Sequence, residues 1–146
     1  MPTMEFGIDE NCKAFAHSVF HRPLELTDAE NDALNIVYKA LSDLDIESAE
    51  IHAERKSSKY LSIVAFEHYD FIRLKIGEKS KWISVFLSPQ DRSDLFNDKR
   101  FSNFKNKNQI HWKITIQSIE QLEDHKDLIH RAYTSAKWSH EISLSK

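Results

Sequence analysis

Residues 60–87 read YLSIVAFEHYDFIRLKIGEKSKWISVFL, and this stretch decides the fold of the chain. Apolar and polar residues alternate through it, and many of the apolar positions are β-branched or aromatic, which is typical of half-buried strands. Short polar breaks divide it into three segments, 60–67, 69–77 and 80–87. Because parallel neighbours need crossover connections of about a dozen residues or more, breaks this short predict consecutive antiparallel strands.

Two further segments with the same period, 46–55 and 109–116, extend this pattern to a five-stranded antiparallel meander. Since strand side chains alternate between the two faces, one face is predicted to be buried. It should carry Leu61, Ile63, Ala65, Ile72, Leu74, Ile76, Ile83, Val85, Leu87, Ile110, Trp112, Ile114 and Ile116. The same alternation puts Phe66, Phe71 and Phe86 on the opposite face, which suggests that an N-terminal helix or the 88–108 loop covers part of it.

Helical periodicity appears on both sides of the predicted sheet. An apolar stripe from Cys12 to Phe20 predicts a first helix, and Thr27 with Glu30 forms a capping box that opens a second helix to about Leu44. Ser118 opens a last helix, after which the chain beyond Trp138 is expected to fray. Residues 88–108 form a long loop with one helical turn near 89–95. If the second and last helices pack on the apolar sheet face, four side chains should be almost fully buried: Leu41, Leu122, Ile129 and Tyr133.

The predicted fold class is therefore α+β, with two N-terminal helices, a five-stranded antiparallel meander and one C-terminal helix, the helices packing mainly on one face. A length of 146 residues favours one domain. Its core should span about 27–138, with a helical extension over 1–26 and a flexible tail over 139–146. The chain has one cysteine, and neither a membrane span nor an export signal is visible, which favours the cytoplasm.

Motifs for catalysis, metals and cofactors are weak. A chain with only two glycines has no phosphate-cradling glycine loop. His17 and His21 have helical spacing for a metal, but no third ligand is indicated nearby, and Cys12 fits a small core residue. Asp70 is followed by Arg73, where a metal-dependent nuclease needs a second carboxylate. We expect no catalytic residues, no metal and no cofactor.

The charge distribution draws attention to the middle of the chain. The net charge is −3, but residues 55–113 contain thirteen basic and six acidic side chains, whereas residues 1–54 contain three basic and twelve acidic ones. Strand alternation gathers much of this positive charge on the non-apolar sheet face, together with two lysines of the 88–108 loop. The candidate binding residues are Arg73, Lys75, Trp82, Lys105, Lys107, His111 and Lys113.

Several uses of this face are open. Cations beside an indole can bind phosphates and stack a base, as in proteins that bind single strands, but they fit an anionic peptide or another protein equally well. A solvated or covered face is the plainer alternative. We expect a binding or adaptor domain with an unknown protein partner; the alternatives are a single-stranded nucleic-acid-binding domain and an enzyme with an unrecognised site. No membrane partner is expected.

Three segments carry a resemblance to a known family: 69–75 (YDFIRLK), 81–85 (KWISV) and 127–133 (DLIHRAY). Across about residues 27–137 the chain resembles a family of uncharacterised small bacterial domains and, at the level of fold, is similar to YjbR-like domains. These share an α-β-sheet-α outline with frataxin (CyaY) and with double-wing phage transcription factors. The resemblance implies no activity.

Frataxin's acidic iron-binding ridge would correspond to Asp28, Glu30, Asp32, Asp43, Asp45, Glu47, Glu50 and Glu54, for which a solvated acidic helix face is the alternative.

Overall fold

A computed structural model describes residues 26–44, 46, 51–55, 60–66, 69–101 and 109–145. The described elements follow one another as helices and strands of an α+β domain: α1 Asp28–Leu41, β1 Ile51–Arg55, β2 Leu61–Ala65, β3 Tyr69–Ile76, β4 Lys81–Phe86, α2 Pro89–Leu95, β5 His111–Ile116, a 3₁₀ helix Ile119–His125 and α3 Lys126–Leu144. The predicted helix from Cys12 to Phe20 lies outside the described residues. Within those residues a single helix precedes the sheet, so the prediction of two N-terminal helices is not confirmed.

The capping box predicted at the start of α1 is confirmed, and it also ties the helix to the sheet. The Thr27 N–H donates to Glu30 Oε1 over 2.9 Å, and the Glu30 N–H donates to Thr27 Oγ1 over 3.1 Å. Arg55 Nη2 of β1 donates to the same Glu30 oxygen over 2.7 Å. These bonds satisfy helix-terminal N–H groups and fix the entry of α1 beside the first strand.

The five strands form one sheet in the order β1-β2-β3-β4-β5, with every neighbouring pair antiparallel. The predicted meander is therefore confirmed. The turn between β3 and β4 is closed by the Gly77 N–H, which donates to the Ser80 carbonyl oxygen over 3.0 Å. A Cβ at Gly77 would lie 3.2 Å from that oxygen, so the tight turn favours glycine.

Two phenylalanines depart from their predicted face, Phe71 because of a bulge in β3 and Phe66 because its positive φ ends the alternation after β2. Ile63 pairs with Ile72 but the next residue, Val64, pairs with Asp70, which leaves Phe71 as the extra residue. The bulge breaks the alternation, so Phe71 is fully buried and its ring meets Tyr133 of α3 edge-on at 5.8 Å. Phe66, just after β2, also contacts Tyr133, at 6.0 Å. Both rings therefore face α3, and of the three phenylalanines expected on the opposite face only Phe86 remains there, 5.9 Å from the His111 ring.

The core lies between the sheet and the helices α1 and α3. The four side chains expected to be almost fully buried there are buried, which confirms that both helices pack on one sheet face: Leu41, Leu122, Ile129 and Tyr133. The predicted strand residues are buried on this face too, with one exception. Ile110 is 46% exposed, because it precedes β5 and only its carbonyl oxygen joins the sheet, accepting from the Leu87 N–H.

The last helical segment differs from its prediction at both ends. Instead of one helix from Ser118, a 3₁₀ helix runs from Ile119 to His125 and gives way to α3 at Lys126. α3 then continues to Leu144, beyond the point where fraying was expected after Trp138. The helical turn predicted near 89–95 is α2, which Ser88 caps by accepting from the Asp91 N–H. Arg131 of α3 donates to Asp91 over 2.9 Å and so joins α3 to α2.

Candidate functional site

The sheet face opposite α1 and α3, called here the second face, brings together the described candidate residues. Arg73, Ser84 and Lys113 lie side by side on β3, β4 and β5, because Arg73 pairs with Ser84 and Ser84 with Lys113. In the adjacent row, Lys75 pairs with Trp82. His111 pairs with Phe86 at the far end of the same face. The two loop candidates, Lys105 and Lys107, lie outside the described residues.

Two aromatic rings and two cations form a continuous cluster at one end of this face. The Tyr60 and Trp82 rings have centroids 5.9 Å apart and an interplanar angle of 40°. Lys113 Nζ lies 5.3 Å from the Trp82 centroid, and Arg73 Cζ lies 5.9 Å from the Tyr60 centroid. Both distances are within the range in which a cation is attracted to the face of a ring. With Lys75 beside Trp82, these five side chains make up the cationic end: Tyr60, Arg73, Lys75, Trp82 and Lys113.

Tyr60 was missed as a site residue, although a signal for it was present. It stands immediately before β2, two residues from Ser62, and so has the parity of the second face. Leu61 pairs with Leu74 in the described register, which brings Tyr60 next to Lys75 and thus to Trp82. Carrying the alternation one residue back from the strand would have placed it in the cluster.

Arg73 is held in position by an acidic neighbour. Its Nε donates to Asp70 Oδ2 over 2.9 Å, and the bulge at Phe71 brings this i,i+3 pair onto the same face. The ion pair offsets part of the positive charge of Arg73 and orients its guanidinium toward the Tyr60 ring. It also gives the Asp70 carboxylate a structural role.

His111 contributes little positive charge to the second face near neutral pH. Burial lowers its pKa below the ordinary value of 6.5, and the nearby Arg73 charge acts in the same direction, while hydrogen bonding to the Asp70 backbone opposes both. Its Nε2 lies 2.9 Å from the Asp70 carbonyl oxygen, which can only accept. His111 is therefore a neutral hydrogen-bond donor that braces β5 against β3.

Accessibility changes along the second face. Toward β1 and the sheet centre its side chains are buried, including His52, Ser62, Val64 and Ser84, and the Ser62 hydroxyl is completely so. Lys75, Trp82 and Lys113 are half-buried, and Thr115 beside Trp82 is exposed. The cationic end, next to the Gly77–Ser80 turn, is therefore partly accessible to solvent, as are Asp70, Phe86 and His111 at the far end of this face.

The acidic residues that the expected resemblance would assign to a metal-binding ridge have diverse surroundings. Glu30 is 6% exposed and engaged by Thr27 and Arg55, whereas Asp28 and Asp32 are exposed on α1. Asp45, Glu47 and Glu50 lie outside the described residues. Across the part of the chain that the structure describes, no three His, Cys, Asp or Glu side chains come together so as to hold a metal ion.

A second charged cluster links the segment that follows α2 to the start of α3. It consists of Asp98, Arg100 and Asp127. Arg100 Nη2 lies 2.8 Å from Asp98 Oδ2 and 2.9 Å from Asp127 Oδ2, so one guanidinium bridges two carboxylates. The Arg100 hydrogen bond is the main cause of the lowered pKa of Asp127. Asp127 lies in the first turn of α3, where a negative charge is stabilising, so this cluster serves to hold the helix start in place.

Comparisons with known proteins yield no relative: no family model, no curated protein and no solved structure matches this chain. The resemblance to YjbR-like and frataxin-like domains stays a prediction. No described helix is both long and apolar enough to cross a membrane.

Proposed function

We propose that this domain is a binding module whose cationic end receives an anionic partner. The observation that carries the proposal is the Tyr60–Trp82 ring pair with Arg73 and Lys113 over the two rings. Lys75 adds a third cation directly across from Trp82. Flat apolar rings surrounded by positive charge suit a ligand that is both negatively charged and rich in flat groups.

The position of the site on paired strands supports the proposal of a binding module. Four of the five side chains project from paired strands. Arg73 and Lys75 lie on β3 and Trp82 on β4, which are interior strands, and Lys113 lies on the edge strand β5. The paired strands therefore fix the backbone positions of these four residues before a partner arrives, and less backbone entropy is lost on binding.

Two pairs of groups on this face that could perform acid–base chemistry are each engaged in hydrogen bonds or ion pairs, and one of them is His52 with Glu54, 2.7 Å apart. His111 donates to the Asp70 backbone, and the Asp70 carboxylate accepts from Arg73. These contacts give His111 and Asp70 a structural role in the sheet. We therefore propose a non-catalytic role. The single cysteine supports a cytoplasmic location as part of the same proposal, and the order α1, five strands, α3 supports kinship in fold with YjbR-like domains.

The test uses two lysines that differ only in their location. Lys75 lies on the second face, whereas Lys137 is exposed on α3, on the other side of the sheet. We would titrate polyglutamate, heparin and oligo-dT into the intact protein and into Lys75→Gln and Lys137→Gln variants, following amide NMR shifts. At least one polyanion should shift amides near Lys75 and Trp82 and bind Lys75→Gln more weakly than Lys137→Gln. Equal loss in both variants, or no binding at low salt, would refute the proposal.

A further inference from the structure

We propose that the anionic partner is a single-stranded nucleic acid, with neighbouring bases stacked at Trp82 and Tyr60 and phosphates bound by Lys75, Arg73 and Lys113. This inference rests on the proposed function and names the partner of the same site. The choice of a single-stranded nucleic acid follows from the presence of two neighbouring rings, Tyr60 and Trp82. Single-strand-binding surfaces combine a positive groove with aromatic side chains on which successive bases stack.

The rings separate a nucleic acid from an acidic peptide. A polyglutamate chain would use the three cations but would gain nothing from an indole beside a phenol. Every base has a π-face, so the Tyr60 and Trp82 rings, 5.9 Å apart, offer two adjacent stacking positions. Arg73 adds a planar guanidinium, on which bases also stack.

The cation positions are consistent with an exchange of partners on binding. In the structure, Lys113 Nζ and Arg73 Cζ are within 6 Å of the ring centroids, at 5.3 and 5.9 Å. When bases stack at the rings, both side chains can swing to the phosphates without leaving the site, because each has a long flexible stem. Lys113 thus contacts the Trp82 ring before binding and a phosphate afterwards, while Arg73 shares its guanidinium between Asp70 and a phosphate.

A duplex should be a poorer ligand than a single strand. Its bases are already stacked and paired, so it can offer phosphates to Lys75 and Lys113 but no accessible base face to Trp82. Binding of duplex DNA would therefore be purely electrostatic, whereas single strands would gain stacking in addition. The ratio of the two affinities measures what the rings contribute.

Fluorescence anisotropy with labelled oligo-dT and oligo-U, a duplex of equal length and labelled polyglutamate, at low and near-physiological salt, tests the proposal. Dissociation constants for the single strands should be about 10⁻⁶ to 10⁻⁴ M and should rise steeply with salt. Trp82→Ala should weaken them roughly 5- to 150-fold, the equivalent of one stacked base. Lys75→Gln should flatten the salt slope by about one unit.

Trp138→Ala is the matched control, since Trp138 is 47% exposed on α3, away from the site. Trp82→Phe keeps a ring and should retain more affinity than Trp82→Ala, which guards against a folding defect. Single-strand binding unchanged in Trp82→Ala, or equal affinity for duplex and single strand, would overturn the inference. Polyglutamate binding without oligonucleotide binding would overturn it as well, yet leave the proposed function standing. If nothing binds, both fail.

Discussion

The two faces of the sheet are made by the same strands but are built from different chemistry. On the helix-covered face, residues such as Leu74 and Val85 are buried against α1, α3 and the 3₁₀ helix. On the second face, Lys75 and Trp82 are cross-strand neighbours that remain half-buried, and the Trp82 ring contacts Tyr60 and Lys113. A substitution on the first face should therefore act on folding and one on the cationic end should act on binding.

The largest effect is expected from a pair of neighbouring residues that point to opposite faces. Leu74 is 1% exposed and pairs with Leu61 and Ile83. Leu74→Ala should lower the free energy of unfolding by about 2–5 kcal/mol, because it leaves a cavity in the core. Lys75→Ala, one residue away, should change it by no more than about 0.5 kcal/mol. Denaturant titration measures both, and equal midpoint shifts would remove the distinction between the faces.

A smaller effect is expected at Phe66, the residue that the alternation had placed on the wrong face. Its φ of 53° lies in the left-handed region, and its ring stacks on His140 of α3 at 4.4 Å. Phe66→Ala should cost about 1–3 kcal/mol, since the packing is lost while the strained backbone remains. Phe66→Gly should cost about 0.5–1 kcal/mol less, because glycine adopts positive φ readily. If alanine were the better tolerated of the two, positive φ would not be a source of strain at this position, and an unchanged free energy of unfolding in both variants would mean that the ring does not stabilise the fold.

The features that sequence reasoning predicted are those with a local signal. The capping box of Thr27 and Glu30 predicted the start of α1. The alternation of apolar and polar residues predicted all five strands and most of the apolar face. The bulge at Phe71 could not be predicted, because one extra residue in a pairing leaves no mark on a single strand's sequence.

The candidate site shows the same division. Alternation brought Arg73, Lys75, Trp82 and Lys113 to one face, and the structure places them in adjacent rows. Which cation lies over which ring, and the pairing of Arg73 with Asp70, depend on side-chain directions across strands and on the bulge. These contacts depend on tertiary structure. The sequence therefore predicted which residues lie at the site but not which of them contact one another.

Acid should destabilise the domain through one histidine on each side of the sheet. Burial is the main cause of the lowered pKa of both His111 and His125. The folded state therefore binds these protons less readily than the unfolded chain. Stability from this source is complete well above pH 6.5, the ordinary pKa, and is lost as pH falls from there to the lower pKa of each histidine in the folded state.

His111→Gln and His125→Gln test this pH dependence. Each variant should show a flatter decline of the free energy of unfolding between about pH 6.5 and acid than the intact protein, since one linked protonation is removed. His111 belongs to the second face, and His125 lies at the junction of the 3₁₀ helix and α3. Denaturation curves at several pH values give both slopes. A decline as steep in both variants as in the intact protein would assign acid sensitivity to other groups.

The smallest effect concerns the ion pair that bounds the cationic end. Arg73 and Asp70 are joined over 2.9 Å with side chains 33% and 19% exposed, so solvent screens the pair only in part. A double-mutant cycle with Arg73→Gln and Asp70→Asn should give a coupling free energy of about 0.5–1 kcal/mol, decreasing in high salt. The coupling free energy matters for binding, because the Arg73 guanidinium must break its hydrogen bond to Asp70, or bind both groups at once, in order to reach a phosphate. If the coupling is this small, Asp70→Asn should increase affinity for oligo-dT, since it removes a competing anion and leaves the stacking rings in place. A coupling several times larger would instead make Arg73 part of the framework and leave phosphate binding to Lys75 and Lys113.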